Sequence, residues 1–283
     1  MDAPPEVLML RLIAMAVLTG SALVVGNANA APSIERGDYL VNTIGACGNC
    51  HTPQGPEGPM MDKALAGMLV EQTEAYTAVA PNITPAGRVS DWSDAELAKA
   101  IREGIRPDGS VIGIPMPFEV YNGISDTDLM SIVMYLRTVP AVENDPGQSV
   151  YNMPLPPAWG PPVESVADVP EGVTVAYGEY LAGPVGHCTV CHSTFGEMGP
   201  MLDTHLGAGG GEFHGPWGTS VAANITPTGL SKYSDEELVT LIASGTRPDG
   251  SRLLPPMPVW AYAGMTPDDL EAVVLYLRSL PPK

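Results

Sequence analysis

The stretch Cys47-Gly48-Asn49-Cys50-His51 recurs as Cys188-Thr189-Val190-Cys191-His192, 141 positions further along the chain. Pro107-Asp108-Gly109-Ser110 returns as Pro248-Asp249-Gly250-Ser251 at the same offset, as does Pro115-Met116-Pro117 in Pro256-Met257-Pro258. Tyr39-Leu40 returns as Tyr180-Leu181, and Tyr135-Leu136-Arg137 as Tyr276-Leu277-Arg278. Only Asn82-Ile83-Thr84-Pro85 slips, reappearing at Asn224 with an offset of 142. A long unit written twice implies two copies of one domain, whereas a solenoid repeats at short period.

Each copy reads as helical. Ser93-x-x-Glu96 and Ser234-x-x-Glu237 are capping boxes, each opening a short helix. Ser125 and Thr266 open the last helices, with Leu129, Ile132, Val133 and Leu136 in one, and Leu270, Val273, Val274 and Leu277 in the other. That spacing is helical, and Pro140 and Pro281 stop both. No alternating strand pattern stands out. The expected fold is all-α with long loops. Its domains span 31–140 and 174–283, and a stiff Pro-rich linker over 141–173 joins them.

All four cysteines lie in the two C-x-x-C-H motifs. This spacing attaches haem c: two thiols one helical turn apart bond the vinyl groups, and the next imidazole reaches the iron. A zinc site would gather four ligands in one place, and here each motif stands alone in its copy. A thioredoxin-like pair would sit in a βαβ context. The expectation is therefore two covalently bound haem c groups, held by Cys47 and Cys50 and by Cys188 and Cys191, with His51 and His192 as iron ligands.

The sixth ligand should follow in each copy. His51 to Met116 and His192 to Met257 are both 65 residues apart. Each methionine sits in Pro-Met-Pro, where the flanking prolines hold the backbone extended as a strap. Met60, Met61, Met68, Met198 and Met201 are the rivals; of these only Met60 and Met201 repeat at matched distance, nine residues after each histidine and outside any Pro-Met-Pro strap. Met116 and Met257 are the expected axial ligands. His187, His205 and His214 read as surface or loop histidines. Arg106 and Arg247 mark turns, with a haem propionate as the other candidate partner, and Trp92 and Tyr233 are candidate aromatics at the haem edge.

Composition narrows the partners. With 13 Lys+Arg against 32 Asp+Glu the net charge is −19, which repels nucleic acid and anionic membrane surfaces. A protein partner with a basic docking patch suits it. Residues 1–30 have the layout of a secretory signal peptide: an apolar run from Leu8 to Val25, then Asn27-Ala28-Asn29-Ala30 before Ala31. Met9 would make a cleaner start than Met1. Export to the periplasm is expected, with an inner-membrane anchor if this segment stays uncleaved.

Gly37-Asp38-Tyr39-Leu40, Cys47 to His51, Asn82-Ile83-Thr84-Pro85, Trp92-Ser93-Asp94, Pro115-Met116-Pro117 and Tyr135-Leu136-Arg137 together resemble class I cytochrome c domains in tandem. The sequence is most similar to the multihaem cytochrome subunits of bacterial periplasmic dehydrogenases for alcohols, aldehydes and sugar acids. The likeness covers about residues 34–140 and 174–283. It implies electron transfer from a dehydrogenase subunit toward an oxidase or another cytochrome of the respiratory chain. Many such subunits resemble three domains and end in a membrane-binding segment. Two domains ending at Lys283 are read here, so a free two-haem shuttle is a second form of the same expectation. The enzymatic alternative is a dihaem peroxidase or thiosulfate-type oxidoreductase, which needs an openable iron. Two methionines at matched spacing favour a carrier over an enzyme.

Overall fold

Helix α1 (Ile34–Tyr39) is capped by Ser33, whose hydroxyl accepts from the Arg36 amide, and runs on into a π-helical turn over Leu40–Ile44. A computed structural model describes residues 1, 31–55, 58–196 and 199–283. Apart from Met1, the expected signal peptide over 1–30 lies outside the described residues, as does the alternative start at Met9. Beyond the π-turn come α2 (Gly48–His51), the short pair β1 (Gln54–Gly55) and β2 (Gly58–Pro59), and a hairpin of β3 (Met68–Gln72) and β4 (Tyr76–Ala80). Helices α3 (Asp94–Glu103), α4 (Phe118–Tyr121) and α5 (Asp126–Thr138) complete the first copy, and β5 (Val150–Tyr151) lies in the linker.

The second copy repeats this order. It begins with α6 (Val175–Tyr180), a π-turn over Leu181–Val185, and α7 (Cys188–Cys191). The pair β6 (Phe195–Gly196) and β7 (Gly199–Pro200) follows, then the single turn α8 (Leu202–His205) and a hairpin of β8 (Glu212–Gly215) and β9 (Gly218–Val221). Helices α9 (Pro227–Leu230), α10 (Asp235–Ser244), α11 (Val259–Tyr262) and α12 (Pro267–Ser279) close it. Both capping boxes form, and Ser125 and Thr266 each cap the helix that follows, accepting from Asp128 and Asp269 amides at 3.2 Å.

The all-α expectation needs correction. Helices dominate, but both copies carry a hairpin, and β3, β4 and β5 form a three-stranded sheet. Tyr76-Thr77-Ala78-Val79-Ala80 is a β-favouring run, but small alanines on its buried side conceal the apolar alternation by which a strand is recognised.

In each copy the first and last long helices cross closely. A Cβ on Gly37 would collide with the Ser131 carbonyl of α5, and one on Gly178 with the Ala272 carbonyl of α12. Glycine lets the backbones approach to this depth. A single hydrophobic core then runs through both copies, from Leu40, Val41 and Val133 to Leu181, Val273 and Leu277.

The join between the copies is reciprocal. Tyr39 donates to Asp269 at 2.5 Å, and Tyr180 donates to Asp128 at 2.7 Å. The same two phenol oxygens accept from the Thr266 and Ser125 amides at 3.0 and 3.2 Å. Each partner sits 141 positions from its counterpart, so the two copies meet about a pseudo-twofold axis. Arg36 breaks the symmetry by gripping Asp128 through two bonds of 2.8 and 2.9 Å; its counterpart in the second copy is Tyr177.

Candidate haem sites

Each cysteine motif leaves its π-turn through a residue with left-handed backbone, Ala46 (φ 43°) and His187 (φ 42°). That twist starts the short helix that places the two thiols one turn apart. None of the four cysteines forms a disulfide. Burial pushes their thiols up, Cys47 and Cys191 to about 12 and Cys50 and Cys188 to about 11.

The histidines are held alike. His51 Nδ1 lies 2.8 Å from the Pro81 carbonyl, and His192 Nδ1 lies 2.7 Å from that of Ala223. A carbonyl only accepts, so Nδ1 must carry the proton and Nε2 keeps its lone pair for a metal. Burial lowers the pKa of both rings, more than the carbonyl bond raises it, and so favours the neutral ligand form. The histidine carbonyls accept from Gly67 and Gly209 at 2.7 Å, fixing the backbone as well. Thr52 Oγ1 accepts from the Leu65 amide and Ser193 Oγ from the Gly207 amide, both at 3.0 Å. Ser193 thus replaces Thr52 without loss of its anchoring role.

Met116 and Met257 lie half-buried on their straps. Met116 packs on the core, against which Cys47 also rests, and Met257 packs on Ala46, Ala261 and Tyr262. The straps hang from matching turns. Arg106 bonds Ser110 Oγ and the Val111 carbonyl at 3.1 and 2.7 Å, and Arg247 bonds Ser251 Oγ and the Arg252 carbonyl at 3.2 and 2.8 Å. Both arginines therefore serve their own turns. Arg137 and Arg278 tie the last helix of each copy to Asp94 and Asp235 and to the carbonyls of Trp92 and Tyr233. These aromatics rest, partly buried, against the core.

The two motifs adjoin. Asn49 donates to the Pro256 carbonyl at 3.0 Å, which links the first motif to the second copy's strap. His187 stacks edge-on against Tyr121 at 5.9 Å and its Nε2 lies 3.3 Å from the Gly45 carbonyl. Ala46, its counterpart, packs on Tyr262. His187 is thus a loop histidine set at the join between the copies, whereas His205 and His214 are exposed. Tyr39, Tyr180, Asp128 and Asp269 also escaped the sequence reading as joining residues. Their repetition at one offset was the available signal.

Paired thiols one turn apart, an imidazole with its outer nitrogen tied back, and a methionine strap are the donor set of haem c, and the residues fit that group. Among the described residues no three His, Cys, Asp or Glu side chains gather as a metal site, so the clustered ligands of a structural zinc are not seen there.

No family model matches the chain. Among its curated relatives are cytochrome subunits of dehydrogenases and a diheme cytochrome c-type protein. It is 28% identical over 292 residues to the cytochrome c subunit of a quinone alcohol dehydrogenase from Gluconacetobacter polyoxogenes, covering 95% of this chain and 60% of that protein. It is 28% identical over 269 residues to the fructose dehydrogenase cytochrome subunit of Gluconobacter japonicus, covering 89% and 53%. A diheme cytochrome c-type protein of Cereibacter sphaeroides matches at 37% over 131 residues, 45% of this chain and 42% of that one. The likeness to dehydrogenase cytochrome subunits expected from the motifs is therefore found. The chain spans 53–60% of the length of the two dehydrogenase subunits.

Proposed function

We propose that the protein is a dihaem c-type cytochrome that carries electrons from a periplasmic dehydrogenase toward the respiratory chain. Residues 31–140 and 174–283 are its two class I cytochrome c domains, and 141–173 is the linker. Cys47 and Cys50, and Cys188 and Cys191, attach one haem each; His51 with Met116, and His192 with Met257, ligate the irons. The observation that carries this reading is the duplicated histidine: in both copies the imidazole after the second cysteine is pinned through Nδ1 and free at Nε2. Haem c bound there supplies a one-electron couple whose potential the His/Met pair raises.

The chain's own residues orient the imidazoles through the Pro81 and Ala223 carbonyls, and Met116 and Met257 would supply the thioether ligands. The shared core and the contacts Asn49–Pro256 and His187–Tyr121 hold the two sites together without slack. The likeness to dehydrogenase subunits supports a dehydrogenase as electron donor, and the acidic surface suits a basic docking face on the partner. Export rests on the leader-like residues 1–30. No helix among the described residues is long and apolar enough to cross a membrane.

The test is the absorption spectrum of the dithionite-reduced protein before and after carbon monoxide, with a haem count by intact mass. Two haems and an unchanged spectrum support a closed-iron carrier. A carbon monoxide adduct at neutral pH would transfer the assignment to the peroxidase-type alternative.

A further inference from the structure

The two hairpins occupy equivalent places but differ at their outer edges. In the first copy, linker strand β5 pairs with β4, Tyr76 with Tyr151 and Thr77 with Val150. Ser149 Oγ accepts from the Val79 amide at 2.9 Å and donates to the Val79 carbonyl at 3.1 Å, and the Asn152 amide donates to the Ala75 carbonyl at 2.8 Å. Ala75, Thr77 and Val79 thus turn their backbone groups to the linker. Their counterparts are Trp217, Thr219 and Val221. In the second copy Ala222 bonds inward, donating to the Gly211 carbonyl and accepting from the Gly210 amide, so by strand alternation Thr219 and Val221 point outward. Among the described residues β9 pairs with β8 alone.

We propose that the outer edge of β9 is a strand-addition site for an extended segment of a separate polypeptide, apolar at alternate positions and basic at its flanks. The molecule carries its own template for this in β5. Native edge strands are blunted by charge, proline or bulges, and Gly218-Thr219-Ser220-Val221 has no charge or proline and keeps an unbroken register with β8. Exposed apolar side chains lie near it, Val221 at 60%, Leu254 at 48% and Trp217 at 37%, with Glu212 and His214 of β8 opposite Val221 and Thr219. Leu254 occupies the place of Gly113, whose bare backbone makes room for the Tyr151 ring in the first copy, so the incoming strand must carry a side chain smaller than tyrosine where it passes Leu254. Strand addition supplies main-chain bonds, and the alternate side chains supply selectivity. The net charge of −19 selects a basic-flanked segment over a second copy of this chain, which it would repel. Ser220 Oγ bonds the Pro255 carbonyl at 2.6 Å, so the site adjoins the Met257 strap, and a partner seated there docks at the second copy. The site stands on backbone geometry alone and is independent of what the cysteine motifs carry.

The probe is a synthetic peptide bearing the linker's Ser-Val-Tyr-Asn sequence with the tyrosine replaced by alanine to clear Leu254, between lysine pairs, added to the whole protein, with amide hydrogen exchange as the readout. Exchange at Thr219 and Val221 should slow about tenfold when the peptide is at roughly ten times its dissociation constant. Val221→Pro, which removes an outward amide that an edge tolerates losing, should abolish the effect, and Leu254→Lys should weaken it with the hairpin intact. Three results would overturn the proposal: no slowing at millimolar peptide, slowing at Thr77 and Val79 instead, or protection of β9 that rises with protein concentration and needs no peptide. The last would mean self-association.

Discussion

The same strap carbonyl is satisfied in both copies, but from different sources. In the first, the linker's Tyr151 donates to Ile114 at 2.6 Å and its Trp159 donates to Ile112 at 2.7 Å while stacking on Phe118. In the second, Ser220 of the hairpin itself donates to Pro255, the counterpart of Ile114. One copy is wrapped by chain that lies between the two copies, and in the other the strap carbonyl is met from within the copy. The linker is therefore part of the first copy's fold as well as a spacer. The duplicated chemistry is kept at the core of each copy, while the periphery is free to diverge.

The largest break to that symmetry is at the cysteines. Replacing Cys47 and Cys50 by alanine, or Cys188 and Cys191, should remove one haem each and halve the pyridine haemochrome absorbance per chain. Unequal losses would mean that only one copy binds covalently. At the join, Asp128→Ala strips a carboxylate held by Arg36 and Tyr180 and should cost about 3–5 kcal/mol. Asp269→Ala, which loses the Tyr39 bond, should cost only about 1–2 kcal/mol. Denaturant titration of the two variants measures that asymmetry.

Gly37→Ala and Gly178→Ala should each cost about 1–3 kcal/mol by forcing the crossed helices apart, and by similar amounts, because both meet a backbone carbonyl. The join also titrates. Burial, then the bond to Asp269, pushes the Tyr39 phenol up to about 12. The folded state holds this proton more tightly than the unfolded chain, whose tyrosines titrate near 10. The contribution is thus complete below about pH 10 and lost as pH rises through about 12. Tyr39→Phe should flatten that part of the stability–pH curve. The smallest effect compares the two strap ties: Tyr151→Phe and Ser220→Ala should each cost about 1 kcal/mol or less. Hydrogen exchange should quicken locally, over residues 112–116 in the first variant and 253–257 in the second.

Much of the candidate site was legible because its signals are local. The C-x-x-C-H motifs, the Pro-Met-Pro straps and the capping boxes are fixed by spacing along the chain, and the proline on both sides, repeated at one offset, set Met116 and Met257 apart from Met60 and Met201, which repeat without it. The first hairpin was missed because its buried side rests on alanines, the second because its strands are polar and bounded by glycines, and the linker strand because Ser149 to Asn152 has no strand signal of its own. Its pairing depends on an edge presented some seventy residues earlier.

What the sequence by itself determined is the chemistry available to each copy: two thiols, an imidazole and a thioether at set intervals, with helices started by their own caps. Tertiary structure alone decided how the copies face each other. Tyr39 meets Asp269, Tyr180 meets Asp128 and His187 meets Tyr121 across intervals that no local pattern spans. Such contacts form only once two separately shaped surfaces are pressed together, and their partners are chosen by apposition in space and not by position in the chain.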